Sequence, residues 1–266
     1  MPHAARFRIL VASVALFTIV TPLLFAADGA AVGRPPANID CIVVGFVGGF
    51  VRHDNPHQKP VQMARSLQRA VPSGTYVQVF ENRRRKTAYE TILRLLDRDH
   101  NGRLSANEKS QARIILFGHS WGASATVMLA RELNRAGIPV LLTVQVDSVA
   151  KPWQSDQVIP VNVAAAVNFY QPHGVIHGRS QITAADSSKT QILGNYRFDY
   201  SKAPVKCEQA SWFDRLTPSH AQSECDPRLW SQVEDLVRQR IDPEIHAAAN
   251  SQPSNPSPNS GFPGQQ

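Results

Sequence analysis

Apolar and polar positions along this chain repeat with two different periods. Short apolar runs bounded by turn-forming residues separate longer stretches with helical spacing. Residues 41–45 and 114–117 are continuous apolar runs, the pattern of strands buried on both faces. Residues 76–80 alternate with period two, and 140–146, 161–170 and 192–198 extend the set of strands. Helical spacing covers 60–71 through Val61, Ala64, Leu67 and Val71, and 86–96 with Ile92, Leu95 and Leu96 on one side. It also covers the Ala- and Leu-rich 122–136 and the amphipathic 229–241. Strands alternating with helices predict an α/β fold, a mostly parallel sheet with helices on both faces.

The two ends break this pattern. Arg6 and Arg8 precede an apolar stretch over 9–27, and small residues follow at Ala26, Ala27, Gly29, Ala30 and Ala31. Residues 1–30 therefore read as a signal peptide or an N-terminal anchor, since the stretch approaches the length of a membrane span. A Gly/Pro/Ala linker over 28–38 leads into one domain over 38–246, and 247–266 is a Ser/Pro/Asn/Gly-rich tail expected to be disordered. The chain has 266 residues and 42% hydrophobic content, enough for one sizeable core. Its charge of +7 is explained by solubility alone. The run Arg83-Arg84-Arg85-Lys86 has no interleaved aromatics and precedes a helical pattern, so it reads as a solvated helix start, and no nucleic-acid partner is expected. Cys41 lies in an apolar strand and is expected as a buried thiol. An oxidising compartment would allow Cys207 and Cys225 to pair.

Gly118-His119-Ser120-Trp121-Gly122 has the form G-x-S-x-G. The five letters are weak evidence by themselves, but the context is specific. The apolar run 114–117 leads straight in and the helix 122–136 follows. Strand, sharp turn and helix is the geometry that presents a strained serine at the carboxyl edge of a sheet. The glycines are needed because a side chain at either position would collide with the neighbouring strand or helix. His119 is expected to point away from the serine.

On this motif and the strand before it, the chain resembles the α/β-hydrolase superfamily, in its lipase, esterase and thioesterase branch. The resemblance spans roughly 38–240. It implies Ser120 as nucleophile, followed in chain order by an acid and a histidine. His220 fits the histidine, lying after the last strand pattern and before the final helix; His173 and His177 are the alternatives. Asp147, at the end of the strand 140–146, fits the acid, and Asp186 is the alternative. The family more often draws the acid from the following strand, but here that strand ends in Asn168-Phe169-Tyr170-Gln171, without a carboxylate. The oxyanion hole needs two backbone N–H groups. Trp121 is expected to give one. The turn Gly45-Phe46-Val47-Gly48-Gly49 should give the other, from Phe46 or else Val47.

A second motif lies just upstream. Asp97-Arg98-Asp99-His100-Asn101-Gly102-Arg103-Leu104-Ser105-Ala106-Asn107-Glu108 matches an EF-hand-type loop at every defined position. Asp97, Asp99, Asn101, the Arg103 carbonyl and a bidentate Glu108 would supply calcium with oxygens, with Ser105 acting through water. Gly102 would make the turn, Leu104 would anchor to the core, and Ser105 with Glu108 would form a capping box for a short exiting helix. A bound ion would be structural, since a serine-based site needs no Lewis acid.

These readings converge on an exported serine hydrolase acting on small or lipid-like acyl esters or thioesters, with a structural calcium ion and no organic cofactor. An acyltransferase, or a calcium-binding envelope protein without turnover, stays open as an alternative.

Overall fold

The computed structural model describes residues 39–207 and 215–242. The expected export segment, the linker and the tail lie outside the described residues. In chain order the elements are β1 (Cys41–Val47), α1 (Lys59–Ala70), β2 (Thr75–Glu81), a 3₁₀ turn (Asn82–Arg84), α2 (Arg85–Leu96), α3 (Ala106–Ser110), β3 (Ile114–His119), α4 (Trp121–Arg135), β4 (Val140–Val146), β5 (Val158–Ile159), β6 (Val163–Tyr170), β7 (Thr183–Ala184), β8 (Gln191–Arg197), α5 (Pro218–Cys225) and α6 (Pro227–Ile241).

Six strands form the central sheet in the order β2-β1-β3-β4-β6-β8, and every neighbouring pair runs parallel. β5 and β7 make a separate two-stranded sheet. Because the main strands are parallel, their carboxyl ends share one edge, and the loops that follow them gather there. Both faces of the sheet are covered, which explains the continuous apolar runs. Val43, Ile115, Phe117 and Val144 share one core with Leu67 of α1 and Val233 and Val237 of α6. Ile42, Val44, Leu116 and Ile114 share the other with Ile92 of α2 and Leu129 and Leu133 of α4.

β1 is longer than the 41–45 run predicted. Gly45 reads as the start of a turn, yet it is a packing glycine. A Cβ there would lie 2.5 Å from the Phe117 ring. The ladder continues through Phe46, in register with Phe80 and Gly118, and reaches Val47 opposite Glu81. α5 has no counterpart in the sequence pattern. Its sequence Pro-Ser-His-Ala-Gln-Ser-Glu-Cys is mostly polar and carries no apolar stripe.

Cys207 and Cys225 are joined by a disulfide with Cα atoms 5.8 Å apart, consistent with an oxidising, exported environment. Cys41 is a buried free thiol, and burial pushes its pKa up to about 11. Among the described residues no helix is long and apolar enough to cross a membrane.

Candidate active site

Ser120 sits between β3 and α4 at the carboxyl edge of the sheet. Its backbone has φ 57 and ψ −126, a strained conformation for a residue with a side chain. The surroundings enforce it. Ser120 N–H donates to Val146 O at 2.9 Å, and Ser120 O accepts from Ser124 N at 3.2 Å and Val149 N at 3.3 Å. Close approach on both sides demands the two glycines. A Cβ on Gly118 would lie 2.5 Å from the Gly122 carbonyl carbon, and one on Gly122 would overlap the Phe46 carbonyl. Gly122→Ala is therefore expected to destabilise the fold by about 2–3 kcal/mol, measured as a lower urea midpoint.

The serine hydroxyl begins a line of hydrogen bonds. Ser120 Oγ is 2.9 Å from His220 Nε2, and His220 Nδ1 is 2.7 Å from Asp147 Oδ2. An ionised carboxylate can only accept, so Nδ1 carries the ring proton. The lone pair on Nε2 then faces the serine O–H. All three groups are buried, with Asp147 fully so.

Asp147 is held from several sides. Its Oδ1 accepts from Gly178 N at 2.5 Å and Gln171 N at 3.4 Å, and its Oδ2 accepts from Gln171 Nε2 at 3.0 Å. Burial pushes the carboxyl pKa up, but the hydrogen bonds and charges of His220, with Gln171 and His119, outweigh it and hold the group below the usual carboxylate range. Gln171 ends the strand that offers no carboxylate, and it acts instead as a support for Asp147. No sequence pattern marks that role.

The alternatives lie elsewhere. Asp186 caps an exposed turn, accepting from Ser188 N at 2.9 Å and Ser188 Oγ at 2.6 Å. His173 pairs with Asp199 at 2.9 Å. His177 lines a cavity of about 490 Å³ with Ser148, Val149, Tyr170, Pro172 and Arg179, beside the strand end that carries Asp147.

The expected oxyanion donors are placed differently from each other. Trp121 is the first residue of α4, where a backbone N–H has no partner within the helix. Phe46 and Val47 lie inside β1, flanked by β2, so the turn begins only at Gly48. The Phe46 amide belongs to a ladder paired on both sides. Gly48 is the backbone that approaches the serine, since a Cβ there would be 3.0 Å from Ser120 Cβ. Asn82 Nδ2 pins this turn by donating to Val47 O at 3.2 Å and Gly49 O at 2.6 Å. Lys151 Nζ in turn donates to Asn82 Oδ1 at 2.6 Å and stands 5.1 Å above the Trp121 ring, which Phe50 meets edge-on at 5.3 Å. The exposed Phe50, Trp153 and Val175 lie in the segments after β1, β4 and β6.

The acidic loop leaves α2 at Asp97. Asp97 accepts from Asn101 N at 3.1 Å and Gly102 N at 2.9 Å, while Asp99 accepts from Asn101 N at 3.1 Å and Asn101 Nδ2 at 2.7 Å. The Asn101 side-chain oxygen accepts from Arg103 N at 2.8 Å. Gly102 has φ +79, the turn expected of it. Carboxylate oxygens of Asp97, Asp99 and Glu108 lie within 4.8 Å of one another. Leu104 packs on the α2/α4 core, and Ser105 with Glu108 forms the reciprocal capping box of α3. The Ser105 N–H and hydroxyl and the Arg98 N–H lower the Glu108 carboxyl to about 2. This oxygen-rich set has the donor chemistry of a hard divalent cation.

No protein-family model matches the chain, and no curated protein matches it either. Several solved structures are similar to it. A dienelactone hydrolase from Anabaena variabilis is 13% identical over 80% of this chain and 88% of that one, with a TM-score of 0.36. A cutinase-like protein from Cryptococcus sp. is 13% identical over 79% and 98%, with a TM-score of 0.38. The RedJ thioesterase from the prodiginine biosynthetic pathway of Streptomyces coelicolor is 13% identical over 70% and 92%, with a TM-score of 0.34. The geometry around Ser120, not these likenesses, carries the chemistry that follows.

Proposed function

We propose that this chain is an exported serine hydrolase that cleaves ester or thioester bonds. The observation that carries the proposal is the continuous Ser120–His220–Asp147 line, 2.9 and 2.7 Å per link, ending in a caged carboxylate. Ser120 Oγ attacks the substrate carbonyl while His220 Nε2 takes its proton. His220 then gives that proton to the leaving oxygen or sulfur, and the acyl group stays on Ser120. Water, deprotonated by the same nitrogen, attacks the acyl carbon, and His220 returns the proton to Ser120 Oγ as the acid is released. Asp147 holds the tautomer and balances the imidazolium formed at each step. The Trp121 amide and a turn amide, that of Gly48 in place of Phe46, stabilise the developing oxyanion. The cavity beside Val149 receives part of the substrate, and the apolar side chains of Phe50 and Trp153 suit an apolar acyl group. A panel of p-nitrophenyl esters tests this. Turnover of at least one ester by the full chain supports the reading, and none across the panel contradicts it.

Calcium belongs to the same proposal as a structural ion held by Asp97, Asp99, Asn101, the Arg103 carbonyl and Glu108. It would tie the end of α2 to the connection that feeds β3. With a Kd on the order of 10⁻⁴ M and about 1 mM ion, binding adds about 1.4 kcal/mol, or about 3–5 °C of melting temperature. Differential scanning fluorimetry with and without chelator reads this directly, and an unchanged melting temperature contradicts it.

A further inference from the structure

His119 precedes the nucleophile, yet its ring does not face solvent or the serine. It is 5% exposed and stacks on His220, with ring centroids 4.7 Å apart and planes at 30°. Three groups decide its charge. Ser223 Oγ is 2.7 Å from the His220 carbonyl oxygen, which can only accept, so the hydroxyl proton points there. The other acceptor near that hydroxyl, Asp147 Oδ2, is farther away at 3.4 Å. His119 Nε2 lies 3.1 Å from Ser223 Oγ and can then only donate to it. His119 Nδ1 lies 2.7 Å from Glu224 Oε2, a buried carboxylate oxygen with no aligned hydrogen bond among the described residues. At that separation a bare Nδ1 would hold two electron-rich atoms in contact, whereas a cationic ring is attracted to the carboxylate. Protons on both ring nitrogens suit both contacts.

We propose that His119 is a buried imidazolium, clamped by Glu224 and Ser223, that fixes the ring plane of His220. The inference rests on the hydrolase reading for its functional half, and on hydrogen-bond counting for its charge. The titratable groups facing the ring are Glu224 and His220 from α5 and Asp147, which directly follows β4. Burial pushes the His119 pKa down, but the attraction of Glu224, with Asp147 adding to it, raises it above the ordinary imidazole value. Glu224 is itself anchored, since its Oε1 accepts from the Lys59 backbone N–H at 2.9 Å. The clamp thus ties α5, which carries His220, to the elbow that carries Ser120. His119 is a positioning residue, since it acts on substrate only through His220.

The test combines two readouts on the full chain. Nitrogen-15 spectra of histidine-labelled protein at pH 7.5 should show an imidazole with both nitrogens protonated, absent from His119→Phe and from Glu224→Gln. Ester kinetics should show kcat about tenfold lower in Glu224→Gln with KM within about twofold, because a tilted base loses alignment rather than affinity. Glu224→Asp should recover part of the loss. A neutral His119 at pH 7.5 would overturn the inference whether or not esters are cleaved. Unchanged kcat in Glu224→Gln would overturn the positioning role. A charged His119 in a wild-type protein without turnover would support the charge assignment and overturn the hydrolase reading, and the positioning role with it.

Discussion

Replacing Ser120 with alanine is expected to lower kcat for a p-nitrophenyl ester by about 10⁴–10⁶-fold while leaving the fold intact. Alanine keeps the Cβ and removes only the oxygen that lies 2.9 Å from His220 Nε2. The substitution removes the nucleophile and no binding group, so the loss should appear in kcat and not in KM. The melting temperature should change little, because the elbow is held by backbone bonds. Ser120 N–H to Val146 O, and Val149 N–H to Ser120 O, survive the substitution. A variant that retained more than about one per cent of wild-type turnover would contradict the assignment.

Asp147→Asn should cost about 10⁴-fold in kcat, and stability as well. The carboxylate accepts from His220 Nδ1, Gly178 N–H and Gln171 Nε2, and all three are donors. An asparagine amide offers one accepting oxygen and one donating nitrogen. At least one of the three donors must then face another donor in a buried site, at about 1–3 kcal/mol. The histidine would relieve the clash by moving its proton to Nε2, which removes the base from the serine. The sign of the pH dependence follows from Asp147 being held below the usual carboxylate range. Its contribution to stability is present above the unfolded-state value and is lost as pH falls through the folded value. Asp147→Asn should remove that acid-side loss, so wild type and variant converge in urea midpoint at low pH. Parallel stability curves down to acid pH would contradict this.

Much of the architecture was legible because a parallel sheet writes itself plainly. Strands buried on both faces are apolar at most positions: 114–117 is apolar throughout, and 140–146 is interrupted only by Thr143 and Gln145. The end of β1 was misread for a physical reason. Gly45 looks like turn chemistry in a one-dimensional reading, but its hydrogen atom makes room for the Phe117 ring, a contact between strands. That reading put Phe46 in a turn, whereas Phe46 lies within β1 and the turn starts at Gly48. α5 leaves no trace in the hydrophobic pattern because its inward face is polar. His220, Ser223 and Glu224 point into the site and leave no apolar stripe to detect. Ser120, Asp147 and His220 could be named from chain order, but Gln171, Gly178 and the His119 clamp are set by three-dimensional proximity alone.

The most direct measurement of the central claim is peptide mapping by mass spectrometry after treatment of the folded full chain with a fluorophosphonate. Such a probe reacts with a serine only when a neighbouring base and an oxyanion site activate it. The expected result is a single adduct on the peptide containing Ser120, lost in His220→Ala. A folded wild-type protein with Ser120 unmodified, or with the adduct on another serine, would contradict it.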